Sequence, residues 1–273
     1  MDITLLGTGN PLPDPNRCGP STLVRAGDAI FLFDAGRGVV QRMVAAGVLP
    51  LQLTSVFLTH LHSDHITDLN DVVTTHWVMS FAPMSLPIIG PGRTQEVVDG
   101  MLAMLGPDIE YRLAHHADLT WRPQLPVTEV QSGVVYDEGG VRIVAAPTDH
   151  RPVEPTVGFR LEHDGKVVVI AGDTVPCDGL DQLCANADAY VQTVLRADLI
   201  GASPSQRFRE TVDYHSTVEQ AAQTAKRAGV KKLVLTHFVP GFPPGQGQEW
   251  ADLAAAHYDG EIVLGEDLTT VTV

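Results

Sequence analysis

Short apolar runs, each closed by glycine, proline or a polar turn, set the rhythm of this chain. Ile3-Thr4-Leu5-Leu6 reads as a strand that stops at Gly7-Thr8-Gly9, and the proline-rich loop Asn10-Pro11-Leu12-Pro13-Asp14-Pro15-Asn16 follows. Ser21 to Arg25 and Ala29 to Phe33 flank Gly27-Asp28, which predicts a hairpin. Val39 to Val48 has helical spacing, with Val39, Val40, Met43, Val44 and Val48 on one side. Thr54 to Leu58 and Ile88-Ile89 read as strands, Ile66 to Met79 as a helix broken near Trp77, and Arg93 to Leu105 as a helix closed by Gly106-Pro107. Asp108 to Pro126 has no clear period. Val127 to Gln131, Val134 to Tyr136, Val141 to Ala146, Thr156 to Leu161 and Lys166 to Ala171 are strands split by turns such as Gly139-Gly140 and Asp164-Gly165.

The last third alternates. Helices are predicted over Asp178 to Ala187, Thr217 to Ala228 and Gln248 to His257, with strands at Ala189 to Thr193, Lys232 to Leu235, Glu261 to Leu264 and Leu268 to Val273. There is no fixed repeat, low-complexity tract or linker. The expectation is one α/β unit over residues 1–273, with two sheets and helices outside them.

Composition narrows the partners. The chain of 273 residues carries 33 acids against 18 Lys and Arg, a formal net charge of −15. Non-specific polyanion binding needs a basic surface, so a general nucleic-acid binder is excluded, although bound metals or a local basic patch can still draw in one phosphate group. No apolar run reaches the ~18 residues of a membrane span. The first residues enter a strand with no basic region, apolar segment or cleavage site, so no secretory leader is expected. Cys18, Cys177 and Cys184 are too few and too odd for a disulfide framework. A cytoplasmic protein is expected.

The densest chemistry follows the strand at Thr54 to Leu58. Thr59-His60-Leu61-His62-Ser63-Asp64-His65 places three imidazoles and a carboxylate within six positions. On extended backbone His60 and His62 point to the same side, and Asp64 and His65 can face a second point on the turn that follows. One ion cannot easily take all four groups from so short a segment, but two can share them. The donor mixture suits zinc, with manganese or iron as alternatives.

Two metals need further ligands, and three other strands end suitably. Val141 to Ala146 leads to His150, the apolar run Val167 to Ala171 leads to Gly172-Asp173, and Lys232 to Leu235 leads to Thr236-His237, a near copy of the segment ending at His60. Singly each is weak, because an Asp after a strand often caps a helix and a lone His is often structural. Together with H-x-H-x-D-H at 60–65, they resemble the metallo-β-lactamase superfamily.

That resemblance implies a four-layer αββα sandwich, an α/β fold of two mixed β-sheets flanked by helices. It also implies metal one on His60, His62 and His150, metal two on Asp64, His65 and His237, a bridging Asp173, and Asp34 buttressing the ligand loop. Gly7-Thr8-Gly9-Asn10-Pro11, Gly172-Asp173-Thr174, Leu235-Thr236-His237-Phe238 and Asp213-Tyr214-His215-Ser216-Thr217 resemble ribonuclease Z more narrowly. This similarity runs to about Val239 and implies that His215 assists the leaving group, with Asp64 holding the attacking water.

One stretch departs from that family. Many ribonucleases Z carry a long basic Gly/Pro-rich arm before the Gly-Asp-Thr strand, whereas here Gly158-Phe159-Arg160-Leu161 reaches Lys166 across four residues. The resemblance is therefore to an arm-less form, and the missing arm favours a small substrate. Two metals can clamp the attacking and leaving oxygens of a phosphate ester, and no G-x-S-x-G elbow supplies a protein nucleophile. A phosphodiesterase acting on a tRNA 3′ end or a smaller phosphodiester is expected. A cyclic-nucleotide phosphodiesterase or an arylsulfatase stays open on the same scaffold, as does a non-catalytic metal-binding interaction protein. The resemblance further implies a homodimer.

Overall fold

The strands fall into two sets that follow one plan. In a computed structural model describing residues 1–273, the first set is β1 (Asp2–Gly7), β2 (Ser21–Ala26), β3 (Ala29–Phe33), β4 (Ser55–Phe57), β5 (Ile88–Gly90) and β6 (Val127–Glu129). The second is β7 (Gly133–Glu138), β8 (Val141–Pro147), β9 (Val157–His163), β10 (Lys166–Ile170), β11 (Ala189–Leu195), β12 (Lys232–Val239) and β13 (Glu261–Leu264). The C-terminal β14 (Thr270–Thr272) returns to pair with β1. The sheet orders are β14-β1-β2-β3-β4-β5-β6 and β13-β12-β11-β10-β9-β8-β7. In each sheet three antiparallel pairings give way to three parallel ones, starting at β3 and at β10.

The layers follow from which faces are apolar. Ile3, Phe31, Phe33 and Phe57 of the first sheet meet Ile143, Phe159, Leu161 and Val168 of the second. Phe33 and Phe57 stack at 5.0 Å, and Phe57 meets Phe159 edge-on at 5.2 Å. The outer face of the first sheet, including Leu32 and Val56, packs on α1 (Val39–Ala45), α3 (Leu69–Met79) and α4 (Thr94–His115). The outer face of the second, including Val169, Tyr190 and Leu233, packs on α5 (Asp178–Cys184), α8 (Val218–Arg227) and α9 (Gln248–Ala255). This is the expected four-layer αββα sandwich of two mixed sheets. No helix is long and apolar enough to cross a membrane.

The elements depart from expectation in four places. The predicted helix over Ile66 to Met79 is interrupted at Thr67-Asp68, not near Trp77: one turn, α2 (Ser63–Ile66), precedes α3. The break arises because Asp68 N donates to the Ala35 carbonyl at 3.0 Å, tying this corner to the loop after β3. Gly106-Pro107 does not end α4, which continues to His115 with Pro107 inside it. Buried Met101 and Ile109, on either side of the proline, anchor both halves of that helix against the body. The strand predicted to stop at Leu235 runs to Val239, so His237 lies within β12, at a left-handed φ of 49°. Between β11 and α8 the chain forms a strap absent from the sequence reading: α6 (Ala197–Gly201), α7 (Gln206–Arg209) and a 3-10 turn, Glu210–Asp213.

Candidate metal centre

The pairings point β3 and β4 one way in the first sheet and β8, β10 and β12 one way in the second, and the donor atoms carried near the ends of these strands meet at one end of the sandwich. Backbone polar groups left free at such strand ends are a common location for ligand sites. Every residue singled out from the sequence arrives there: Asp34, His60, His62, Asp64, His65, His150, Asp173, His215 and His237. All are buried except His62, which is half-buried.

Their ring and carboxylate atoms form two groups, His60, His62, His150 and Asp173, and Asp64, His65 and His237. In the first, His62 Nδ1 lies 3.1 Å from His60 Nε2 and 3.2 Å from His150 Nε2. In the second, Asp64 Oδ2 lies 3.2 Å from His237 Nε2 and 3.7 Å from His65 Nε2. Asp173 Oδ2 stands between the groups, 3.7 Å from His60, 3.9 Å from His150, 3.5 Å from His65 and 3.6 Å from His237.

Hydrogen bonds behind the rings decide which nitrogens face inward with lone pairs. Asp34 accepts at 2.8 Å from Thr59 N, Thr59 Oγ1 and His65 Nδ1. Since the Thr59 hydroxyl hydrogen goes to Asp34, its oxygen accepts from His60 Nδ1 at 3.0 Å. His150 Nδ1 donates to the Tyr214 carbonyl at 2.6 Å. The inward Nε2 atoms of His60, His65 and His150 are therefore unprotonated in the neutral rings. A proton on His62 Nδ1 can be directed at only one of the two neighbouring Nε2 lone pairs, 3.1 and 3.2 Å away, whereas a cation between the three nitrogens would serve them all. Around an ion with ~2.0–2.1 Å bonds, tetrahedral ligand atoms stand about 3.3 Å apart. His65 Nε2 and Asp173 Oδ1 are buried with no hydrogen-bond partner. The donor set fits divalent metal on each count. His237 Nδ1 is a different case, a buried nitrogen on the outer side of its ring with no acceptor.

The electrostatics agree. Burial, then neighbouring His65, pushes His60 well below the usual imidazole range, and burial holds His62 down and pushes His150 to about 4. Burial would raise the Asp173 carboxyl, yet His237 and His65 hold it well below the carboxylate range. Burial is the largest influence on His65 and His237 too and opposes their protonation, but Asp173 and Asp34 together outweigh it at His65, as Asp173 and Asp64 do at His237. Buried carboxylates thus draw positive charge into the site, a role that metal ions fill on displacing the protons.

Two residues hold the centre through strained backbone. Asp34 has φ 58°, a left-handed conformation rare outside glycine and asparagine-like residues, as has His237 at 49°. Gly172, φ 68°, lies so close to Thr59 that an added Cβ would fall 2.6 Å from the Thr59 Cβ. A cavity of about 300 Å³ opens above the centre, with His62, Asp64, Asp173, His215 and His237 at its floor. His215 donates from Nδ1 to the Thr211 carbonyl at 2.9 Å and sets Nε2 3.1 Å from Asp173 Oδ2. Sequence reasoning missed Thr59, which carries no ligand chemistry of its own, and the wall residues Phe208 and Thr211. A lone Phe among polar residues, as in Ser205-Gln206-Arg207-Phe208-Arg209, was the one available sign.

Fold and site together are those of a metal-dependent hydrolase: a family model described as "Beta-lactamase superfamily domain" matches residues 30–238. The chain is 58% identical over 275 residues to a Ribonuclease Z of Mycobacterium bovis, covering 100% of this chain and 98% of that one. Among solved structures, the short form of human tRNase Z is 25% identical with a TM-score of 0.72, covering 100% of this chain and 99% of that one. The metallo-β-lactamase fold protein YhfI of Bacillus subtilis is 22% identical with a TM-score of 0.77, covering 99% and 98%. The chain belongs to the ribonuclease Z family of the metallo-β-lactamase superfamily. In this protein β9 and β10 join through a tight Asp164-Gly165 turn, His163 pairing with Lys166. The mycobacterial relative matches nearly end to end, so it has no room for a long arm either. The missing arm is no argument against membership.

Proposed function

We propose that the chain acts as one hydrolase unit over residues 1–273 that cleaves RNA phosphodiester bonds, with the 3′ end of precursor tRNA as substrate. The observation that carries this reading is the convergence of six other ligand residues on the two sides of Asp173, with His215 3.1 Å away at the cavity floor. His60, His62 and His150 would hold one ion, Asp64, His65 and His237 the other, and Asp173 would bridge them. Zinc suits this nitrogen-rich donor set best. When bound, the ion pair supplies an acidified water and neutralises charge on the phosphate.

The chain's own residues do the rest. Asp64, with one oxygen on the metal side, accepts a hydrogen bond from the attacking water and orients it. Asp34, through Thr59 and His65, keeps the ligand rings in the tautomer that presents Nε2. His215 has its Nδ1–H committed to Thr211, so any proton it hands to the departing ribose oxygen must travel on Nε2, the nitrogen beside Asp173 Oδ2 at the cavity floor. General acid help of this kind is typically worth about 10²–10⁴-fold. A homodimer in the cytoplasm completes the reading, by family likeness. A side-by-side assay of metal-loaded protein tests it, using precursor tRNA, bis(p-nitrophenyl) phosphate, cyclic AMP and an aryl sulfate. Preferred cleavage of the tRNA, abolished by chelator and restored by zinc, is expected. Turnover of the aryl sulfate or cyclic AMP alone would replace the substrate, and full activity without metal would sink the mechanism.

A further inference from the structure

The strap between β11 and α8 leaves the second sheet at Leu195 and returns beside it, Leu195 N donating to the Ser216 carbonyl at 3.0 Å. Phe208 and Val212 pack on Leu195, Ile200 and Val239, which fixes the strap over the cavity. Phe208 and Tyr214 thereby form part of the cavity wall, and Tyr214 lies 4.7 Å from His215, ring centre to ring centre. The proline-rich loop, distant in sequence, contributes Pro11 and Leu12 to the same lining. Leu12 is 63% exposed at the cavity rim, an apolar side chain with no core to pack against.

This wall has little with which to read a polar ligand. The Asn10 amide is held at both ends, donating one hydrogen to the Phe238 carbonyl at 2.6 Å and accepting from Leu12 N at 2.9 Å, which leaves one N–H. Thr211 Oγ1 donates to the Phe208 carbonyl at 2.7 Å. The hydroxyls of Ser63 and Tyr214 remain, and a hydroxyl both donates and accepts, rotating to suit either partner. Such a surface offers a phosphate or sugar few hydrogen bonds, whereas a flat heteroaromatic ring can pack on Phe208 and Leu12. Stacking on an aromatic side chain is sequence-tolerant because every base has a π-face.

We propose that Leu12 and Phe208 clasp the nucleobase of one nucleotide flanking the scissile phosphate, in a slot that holds any of the four bases and discriminates among none. This rests on the reading of the protein as an RNA phosphodiesterase. The slot explains how an acidic protein without a basic arm positions RNA locally: it binds through the base next to the cut and not through distant phosphates.

The test uses zinc-loaded protein and a short RNA with a 3′ trailer. The flanking nucleotides are varied through all four bases and replaced, one at a time, by an abasic unit. On one side of the cut, the abasic substrate should lose about 10-fold or more in kcat/KM, while the four bases agree within about fivefold. Phe208→Leu, which keeps apolar packing but removes the ring, should lose a similar factor on intact RNA, and Phe208→Trp should retain or improve on wild type. Combining Phe208→Leu with the abasic substrate should cost no more than either change alone. Losses that multiply, a base preference beyond 100-fold, or full activity of Phe208→Leu would each overturn the slot. A binding readout separates its failure from that of the phosphodiesterase reading: 2-aminopurine at the flanking position should be quenched on binding to wild type and less so to Phe208→Leu. Quenching without cleavage refutes the function and upholds the slot, and cleavage without quenching does the reverse.

Discussion

Asp34→Asn isolates the support behind the ligand rings. Asparagine has nearly the same size and tolerates the left-handed backbone at φ 58°, so backbone strain is unchanged. Asp34 accepts three hydrogen bonds, one on Oδ1 from Thr59 N and two on Oδ2 from Thr59 Oγ1 and His65 Nδ1. The asparagine amide has one acceptor oxygen, leaving two orientations. With its oxygen in the Oδ2 position, the NH2 faces Thr59 N and a buried donor goes unpartnered, at about 1–3 kcal/mol. With its oxygen in the Oδ1 position, the NH2 faces His65 Nδ1, which must become an acceptor. His65 then keeps its proton on Nε2, the atom aimed at Asp64 and Asp173, and the ring can no longer take a metal there. The first outcome lowers the melting temperature of metal-free protein by roughly 2–12 °C, at ~2–4 °C per kcal/mol for chains of this size. The second weakens metal binding by about 10–100-fold. Calorimetric titration of metal-free protein with zinc, beside thermal melts of the same samples, reads both. An Asp34→Asn protein that melts with wild type and binds zinc with unchanged affinity would refute the account of ring orientation.

Asp173→Ala should impair zinc binding more than loss of any single histidine ligand, because Asp173 faces both groups; retention of two zinc ions by metal analysis would move the bridge elsewhere. His215→Ala should slow RNA cleavage by about 10²-fold and bis(p-nitrophenyl) phosphate, whose leaving group needs no proton, far less, at unchanged zinc content. Equal losses on both substrates would make His215 a phosphate-positioning group. Gly172→Ala combines a positive φ with a Cβ only 2.6 Å from that of Thr59 and should cost about 2–5 kcal/mol, read by urea unfolding of the metal-free protein; a cost within 0.5 kcal/mol would show that Thr59 can yield, roughly the scatter of a neutral substitution. His65 and His237 hold their protons above the ordinary imidazole range in metal-free protein. Zinc must displace those protons, so its affinity rises with pH through and beyond neutrality. Titrations in buffers of different ionisation enthalpy should show proton release that shrinks as pH rises, and no release at any pH would contradict the raised proton affinity of both rings.

The metal ligands were legible because each follows an apolar run closely, and such runs are marked by local composition. His60, His62, Asp64 and His65 declare themselves within six positions, while His150, Asp173 and His237 follow apolar runs that the pairings from β8 to β12 aim the same way. What joins them was not legible. The Thr59–Asp34 bonds span 25 positions and the contact of His215 with Asp173 spans 42, so they exist only once the sheets are stacked. The strap is opaque for another reason: α6 and α7 have five and four residues, too short for a helical period. His237 sits inside β12 because the chain bends at its left-handed φ without leaving the sheet, a feature that hydrophobic alternation does not report.

The doubled strand plan bears on how the centre is held. Asp34, His60, His62, Asp64 and His65 come from the first sheet, and His150, Asp173 and His237 from the second. Each group of donor atoms that fits an ion draws on both sheets: His60 and His62 meet His150 and Asp173, while Asp64 and His65 meet His237. Neither half can complete an ion's ligand set alone. Across the same seam Val157 N donates to the Thr59 carbonyl at 3.0 Å, and Gly172 rests on the Thr59 side chain. The segment that orients the rings therefore also joins the layers. Apolar packing between the sheets sets their spacing, and that spacing decides whether nitrogens from opposite sheets fall 3.2 Å apart, as His62 and His150 do, or too far apart to share an ion. Metal affinity is thus a property of the docked sandwich, and ion binding adds its free energy to the docking of one sheet on the other.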